Sequence, residues 1–260
     1  MTQPKTVTRS TNPTRKTSVR SVHKKNTISK NWQEGGSRDE RGRLIREALF
    51  KAAAETVGDV GYEAASVAMI TQRAGVAHGT FYNYFETRQD VFDELLPTIG
   101  KQMLSHIRKC AEKGKNMLEK EEFGFAGFFS FLKDNPHFFR ILNEAESFAP
   151  NAYRAHMELV SQDYVRFFQR SAARGELAGY EEPEFEVIAF LLMAARSYLA
   201  WRFVREANKV GNVPDWVVKV YAKFIRSGLA CAQETCGQSI IKPLIDSGQT
   251  DRRRSSRISK

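Results

Sequence analysis

Three cysteines, eight prolines and no acidic residue before Glu34 are what this 260-residue sequence is short of. Cys110, Cys231 and Cys236 are an odd, dispersed set, which argues against a disulfide framework and a zinc cluster and fits a reducing compartment. Cys231 and Cys236, five apart on one expected helix, point in different directions and make a poor redox pair. No uninterrupted apolar run approaches the roughly 20 residues of a membrane span. The basic N-terminus lacks an apolar segment after it, so neither a span nor a secretory signal is expected. Metal-ligand spacing, a nucleophile beside a base and a phosphate-binding glycine loop are also missing, and His23, His78, His106, His137 and His156 are dispersed. The expectation is therefore no enzyme, no cofactor and no metal.

What is present begins with charge. The formal net charge is +10, of which residues 1–33 supply +8 and residues 251–260 supply +4, leaving −2 for residues 34–250. The basicity belongs to the ends. Residues 1–36 show no hydrophobic period and are expected to be a disordered basic arm, as is a tail at 238–260. Arg15-Lys16 and Lys24-Lys25 could add salt-dependent affinity for nucleic acid; an ordinary solvated extension accounts for them equally well. A non-specific nucleic-acid-binding protein working through these ends is the alternative function.

Order is expected from Ser37, which with Glu40 has the spacing of a capping box. Ile45, Leu49, Ala52, Ala53, Thr56 and Val57 then form a helical stripe, ended by Gly58 and Gly61. A short helix opens at Ser66 and carries Val67 and Ile70 on its buried side. Gly75 supplies a turn at which a second helix can leave steeply. That second helix, about Ala77 to Asn83, has small or hydrogen-bonding side chains on one side: Ala77, His78, Gly79, Thr80 and Tyr82. Short side chains at a helix N-terminus allow close approach to a DNA groove, and Tyr82 and Tyr84 can place hydroxyls on phosphates. Phe81 and Phe85, four apart, face the core. Thr87 and Asp90 cap the following helix, whose stripe Val91, Leu95, Ile99, Met103 and Ile107 is interrupted by Pro97. A kink or a new helix start is expected there.

Residues 49–96, with Gly61-Tyr62, Ser66-Val67, Ala74-Gly75-Val76, Gly79-Thr80-Phe81-Tyr82 and Tyr84-Phe85 in order, resemble the N-terminal domain of the tetracycline-repressor (TetR) family of bacterial transcription regulators. The resemblance implies an all-helical homodimer in the bacterial cytoplasm, with this domain on operator DNA and a divergent C-terminal domain holding a small molecule. It also adds Arg41, Arg43, Ser66, Asn83 and Arg88 to the DNA-binding candidates. Ala77 replaces the family's usual capping Ser or Thr, and His78 its common Lys or Arg, so base preference does not carry over.

The expected fold is all-α, with a three-helix helix-turn-helix domain at 37–86 and a larger helical effector-binding and dimerisation domain at 87–237. In the latter, helices are expected at about 119–133, 136–147, 150–174, 183–208 and 214–236, separated by Asn135-Pro136, Ala149-Pro150, Gly175, Pro183, Gly211 and Pro214. Ten of the eighteen phenylalanines fall between residues 123 and 168. That density suggests an aromatic-lined cavity for an apolar effector, with plain core as the bland reading. Candidate ligand contacts are Phe125, Phe128, Phe129, Phe139 and Phe168, with Asn143, Glu144, Tyr164 and Arg196 as polar anchors. Arg196 is expected either to pair with Glu144 or Glu146, or to receive an anionic ligand group. Ile188, Leu192, Ala195 and Leu199, with Val217, Val220, Tyr221, Phe224, Gly228 and Cys231, form the expected dimerisation surface. Two-fold symmetry would then require a palindromic operator. The function expected is a ligand-responsive, sequence-specific regulator, a repressor released when effector binding swings the helix that contains Pro97.

Overall fold

The computed structural model describes residues 36–205 and 213–230. The basic arm, the break at Gly211, Cys231, Cys236 and the basic tail lie outside those residues. The described residues form helices without strands: α1 (Arg38–Ala64), α2 (Val67–Ala74), a 3-10 helix (His78–Asn83), α3 (Arg88–Ala111), α4 (Met117–Asp134), α5 (Phe138–Phe148), α6 (Pro150–Ala172), α7 (Phe185–Ala200) and α8 (Asp215–Ala230).

Local chemistry accounts for most boundaries. Ser37 Oγ accepts the Glu40 N–H, but the Glu40 carboxylate takes the Gly36 N–H instead of completing the expected box. Thr87 and Asp90 do form both reciprocal bonds, at 2.8 and 3.2 Å. Asn116, a cap the sequence reading missed, accepts the Glu119 N–H at the start of α4. The helix through Pro97 is continuous, so the proline starts no new one. α7 begins after Pro183, which sits in a 3-10 turn at Glu182–Glu184, and its far end passes into a π-turn at Trp201–Arg205.

The stripe of α1 is buried as its period requires, from Leu49 to Val57. Gly58 does not end this helix. Its missing Cβ makes room for the His137 ring, since a Cβ there would lie 2.1 Å from Nδ1. The break falls at Gly61, whose φ of +86° is left-handed. Tyr62 follows as a bolt between elements: its ring meets Phe92 of α3 edge-on at 5.0 Å and stacks on Phe148 of α5 at 6.0 Å. One apolar core thus runs from the helix-turn-helix into the larger helical part.

Segment 182–204 is long and apolar enough to cross a membrane by length and composition, with a mean hydropathy of 1.5. A window average tolerates interruption by Glu186 and Arg196, whereas an uninterrupted run does not. In the fold, Arg196 is buried on the inner side of this segment and ion-paired.

Candidate nucleic-acid interface and effector cavity

The turn between the two halves of the helix-turn-helix is set by Gly75, at φ +73° and ψ 28°. Its N–H bonds the Gln72 carbonyl and the Val76 N–H bonds that of Thr71, which closes α2. Ser66 caps α2 by accepting the Met69 N–H at 3.3 Å. The segment that follows is a 3-10 helix, where an α-helix was expected. Ala77 stands at its cap and has no side-chain oxygen to offer. The turn is held by i→i+3 bonds, Thr80 N–H to Ala77 O at 2.9 Å and Tyr84 N–H to Phe81 O at 3.0 Å.

Phe81 and Phe85 are buried, their rings 5.4 Å apart, and fix the segment to the core. Ala77, His78, Gly79, Tyr82 and Asn83 are exposed together on the other side, with Thr80 and Tyr84 half-buried at its edge. The Tyr84 hydroxyl reaches the first turns of α1, 3.7 Å from where a Cβ of Gly42 would be. Arg41 and Arg43 flank Gly42 in the sequence, each turned about 100° from it around the helix. Arg43 is held by Glu47 at 2.8 Å. Arg88 is engaged elsewhere: it donates to the carbonyls of Ala65 and Glu63 at 3.0 and 3.3 Å and lies over Phe92. This seals the link between α1 and α2, a role the sequence did not reveal.

The second site is a cavity of about 640 Å³ among α3, α4, α5, α6 and α7, a size in the range of small-molecule pockets. Of the expected contacts, Phe128, Asn143, Tyr164 and Arg196 line it. The other five do not. Phe125 is fully buried and stacked on Tyr221 at 3.7 Å, and Phe129 packs against Phe125 and Phe128. Phe168 is buried among Tyr164, Phe167 and Phe185. Phe139 is half-buried against the core. Glu144 is on the opposite side of α5, where Oε2 accepts the Tyr62 N–H at 3.0 Å and Oε1 pairs with Arg140 at 2.6 Å. Arg140 in turn donates to the Asp59 carbonyl at 2.8 Å. These two side chains clamp the end of α1.

Arg196 pairs with neither Glu144 nor Glu146. Its Nη2 donates to Oε1 of Glu121 at 2.8 Å, with both side chains buried. The same oxygen accepts from the hydroxyls of Tyr221 at 2.5 Å and Tyr164 at 3.3 Å. Burial pulls the Arg196 pKa down, but the Glu121 carboxylate and Tyr221 more than offset it and the result is raised. Tyr221 is raised by burial and by the same carboxylate. Glu121 is the functional candidate that sequence reasoning missed; its one signal was an acid inside a phenylalanine-rich helix. His156 also lines the cavity, and burial lowers its pKa to about 4, so it is neutral near pH 7.

Of the residues expected on the dimer surface, Val220, Phe224 and Gly228 of α8 are exposed, whereas on α7 the exposed stripe is a different one. Ile188, Leu192, Val217 and Tyr221 are buried within the subunit, while Val187, Leu191 and Tyr198 of α7 and Trp216, Val220 and Phe224 of α8 are exposed.

An exposed polar segment braced by two buried aromatics after a left-handed glycine turn has the geometry of a helix-turn-helix, the class of structure that places a short helix in a DNA groove. Residues 49–95 match the family described as bacterial regulatory proteins, tetR family. That match covers under a fifth of the chain and falls on its helix-turn-helix segment, where the chain is similar to TetR-family transcriptional regulators. The chain is 21% identical over 186 residues to the uncharacterized HTH-type transcriptional regulator YhgD of Bacillus subtilis, covering 71% of this chain and 96% of that one. Its fold is similar to that of the fatty acid degradation regulator FadR of Bacillus halodurans, with a TM-score of 0.62, 18% identity, and coverage of 71% of this chain and 95% of that one. It is also similar to FadR of Bacillus subtilis, solved in complex with stearoyl-CoA, with a TM-score of 0.59, 16% identity, and coverage of 71% and 97%. At these identities the likeness to solved structures establishes the fold.

Proposed function

We propose that this protein is a ligand-responsive repressor that binds a palindromic operator as a homodimer and is released by a small, largely apolar effector. The observation that carries the reading is the double duty of α5. On one side Leu142, Asn143 and Glu146 border the cavity; on the other, Arg140 and Glu144 hold α1. A ligand that favours a different position of α5 changes the seat of the DNA-binding helices, by no more than its differential affinity for the two states. Homodimerisation is supported by the exposed apolar stripe of α7 and α8, which a second copy would cover in a four-helix arrangement. The complex of the Bacillus subtilis FadR makes stearoyl-CoA the first effector to try.

The test is the affinity of the full-length protein for DNA upstream of its own gene against scrambled DNA, at near-physiological salt, with and without stearoyl-CoA. A preference of at least about a thousandfold is expected, reduced on adding effector. Equal binding to both DNAs, abolished when the basic ends are removed, would instead make this a non-specific nucleic-acid-binding protein.

A further inference from the structure

The cavity has apolar walls, among them Met103, Leu104, Ile107, Phe128 and Val160, and a polar wall built on Arg196 and Glu121. The two side chains are 7% and 5% exposed. The guanidinium is covered by Tyr164, 5.2 Å from its ring centre, and by Phe125 at 5.7 Å. One of its nitrogens bonds Glu121; the other two, Nε and Nη1, are closed to water and make no hydrogen bond. Enclosed donors without an acceptor are costly, and a partner supplied from outside relieves that cost.

We propose that the cavity selects a ligand that presents an uncharged carbonyl-type acceptor to this polar wall, over the corresponding carboxylate, and that Arg196 is the residue that recognises the carbonyl. This rests on reading the cavity as the effector site. The Arg196–Glu121 pair is already balanced in charge, so a ligand carboxylate here would be an excess buried anion without a counter-charge. A ketone, ester or thioester oxygen brings acceptor lone pairs and no charge. Tyr164 is the side chain that turns aside to admit it, because its ring covers the guanidinium and its hydroxyl makes the longest of the three bonds to Glu121, 3.3 Å against 2.8 and 2.5 Å. His156, which lines the same cavity and is neutral near pH 7, contributes no compensating charge.

The experiment is calorimetric titration of the full-length protein with methyl decanoate and with decanoate at pH 7.5. Methyl decanoate is expected to bind at least about tenfold more tightly. In Glu121→Gln, which leaves Arg196 unpaired, the order is expected to reverse. In Tyr164→Phe, which keeps the covering ring, it is expected to persist. Equal affinity, or tighter decanoate binding in the unaltered protein, would overturn this inference and leave the effector-site reading standing; a carboxylate held at the rim by Lys120 or Arg170 would give that result. Binding of neither probe would overturn both.

Discussion

Glu144→Ala tests the clamp between α5 and the helix-turn-helix. The substitution removes the acceptor of the Tyr62 N–H, a backbone group of a fully buried residue just after the left-handed Gly61. Leaving such a donor unsatisfied costs about 1–3 kcal/mol. The accompanying loss of the Arg140 pair adds at most about 1 kcal/mol, because the two side chains are 42% and 29% exposed. The total of about 2 kcal/mol corresponds to a fall in Tm of about 4–8 °C for a body of this size. Glu144→Gln keeps an amide oxygen for the Tyr62 N–H, so a shift less than half as large is expected. If the clamp carries the coupling, Glu144→Ala also binds effector as the parent does while its operator affinity responds less. Thermal unfolding followed by circular dichroism, with operator binding measured at several effector concentrations, gives both readouts. An unchanged Tm together with unchanged release would refute the reasoning.

Three further outcomes follow from the geometry. Tyr82→Ala is expected to leave fold and helical content intact, since the side chain is exposed, while weakening operator binding by about tenfold or more; an unaltered mobility-shift titration would sink the assignment of this segment as the recognition element. Gly75→Ala places a Cβ at a left-handed turn and is expected to cost about 1–2 kcal/mol in denaturant unfolding; no loss would mean the turn relaxes freely. His156 is neutral when folded, with its pKa lowered to about 4 from 6.5 by burial, so protons bind the unfolded chain preferentially between those values. Its contribution to stability is intact above pH 6.5 and falls away towards pH 4, by up to about 3 kcal/mol, a slope that His156→Gln should lack.

The sequence by itself determined the local features of this protein: the Gly75 turn, the Ser66 and Thr87 caps, the α1 stripe and the inward Phe81 and Phe85. Each depends on a conformational preference of one residue or on partners within four positions, which a helix brings together regardless of what surrounds it. Only the tertiary structure decided that Arg196 pairs with Glu121, 75 residues away, and that Glu144 turns from the cavity to Tyr62, 82 residues away. Several acids were within plausible reach of Arg196, and sequence spacing does not rank contacts made by packed helices. The same holds for α7, which is apolar on more than one side. Its period admits both the Ile188–Leu192 stripe and the Val187–Leu191 stripe, and the choice between core and exposed face was made by α6 and the neighbouring helices that cover the first and leave the second open.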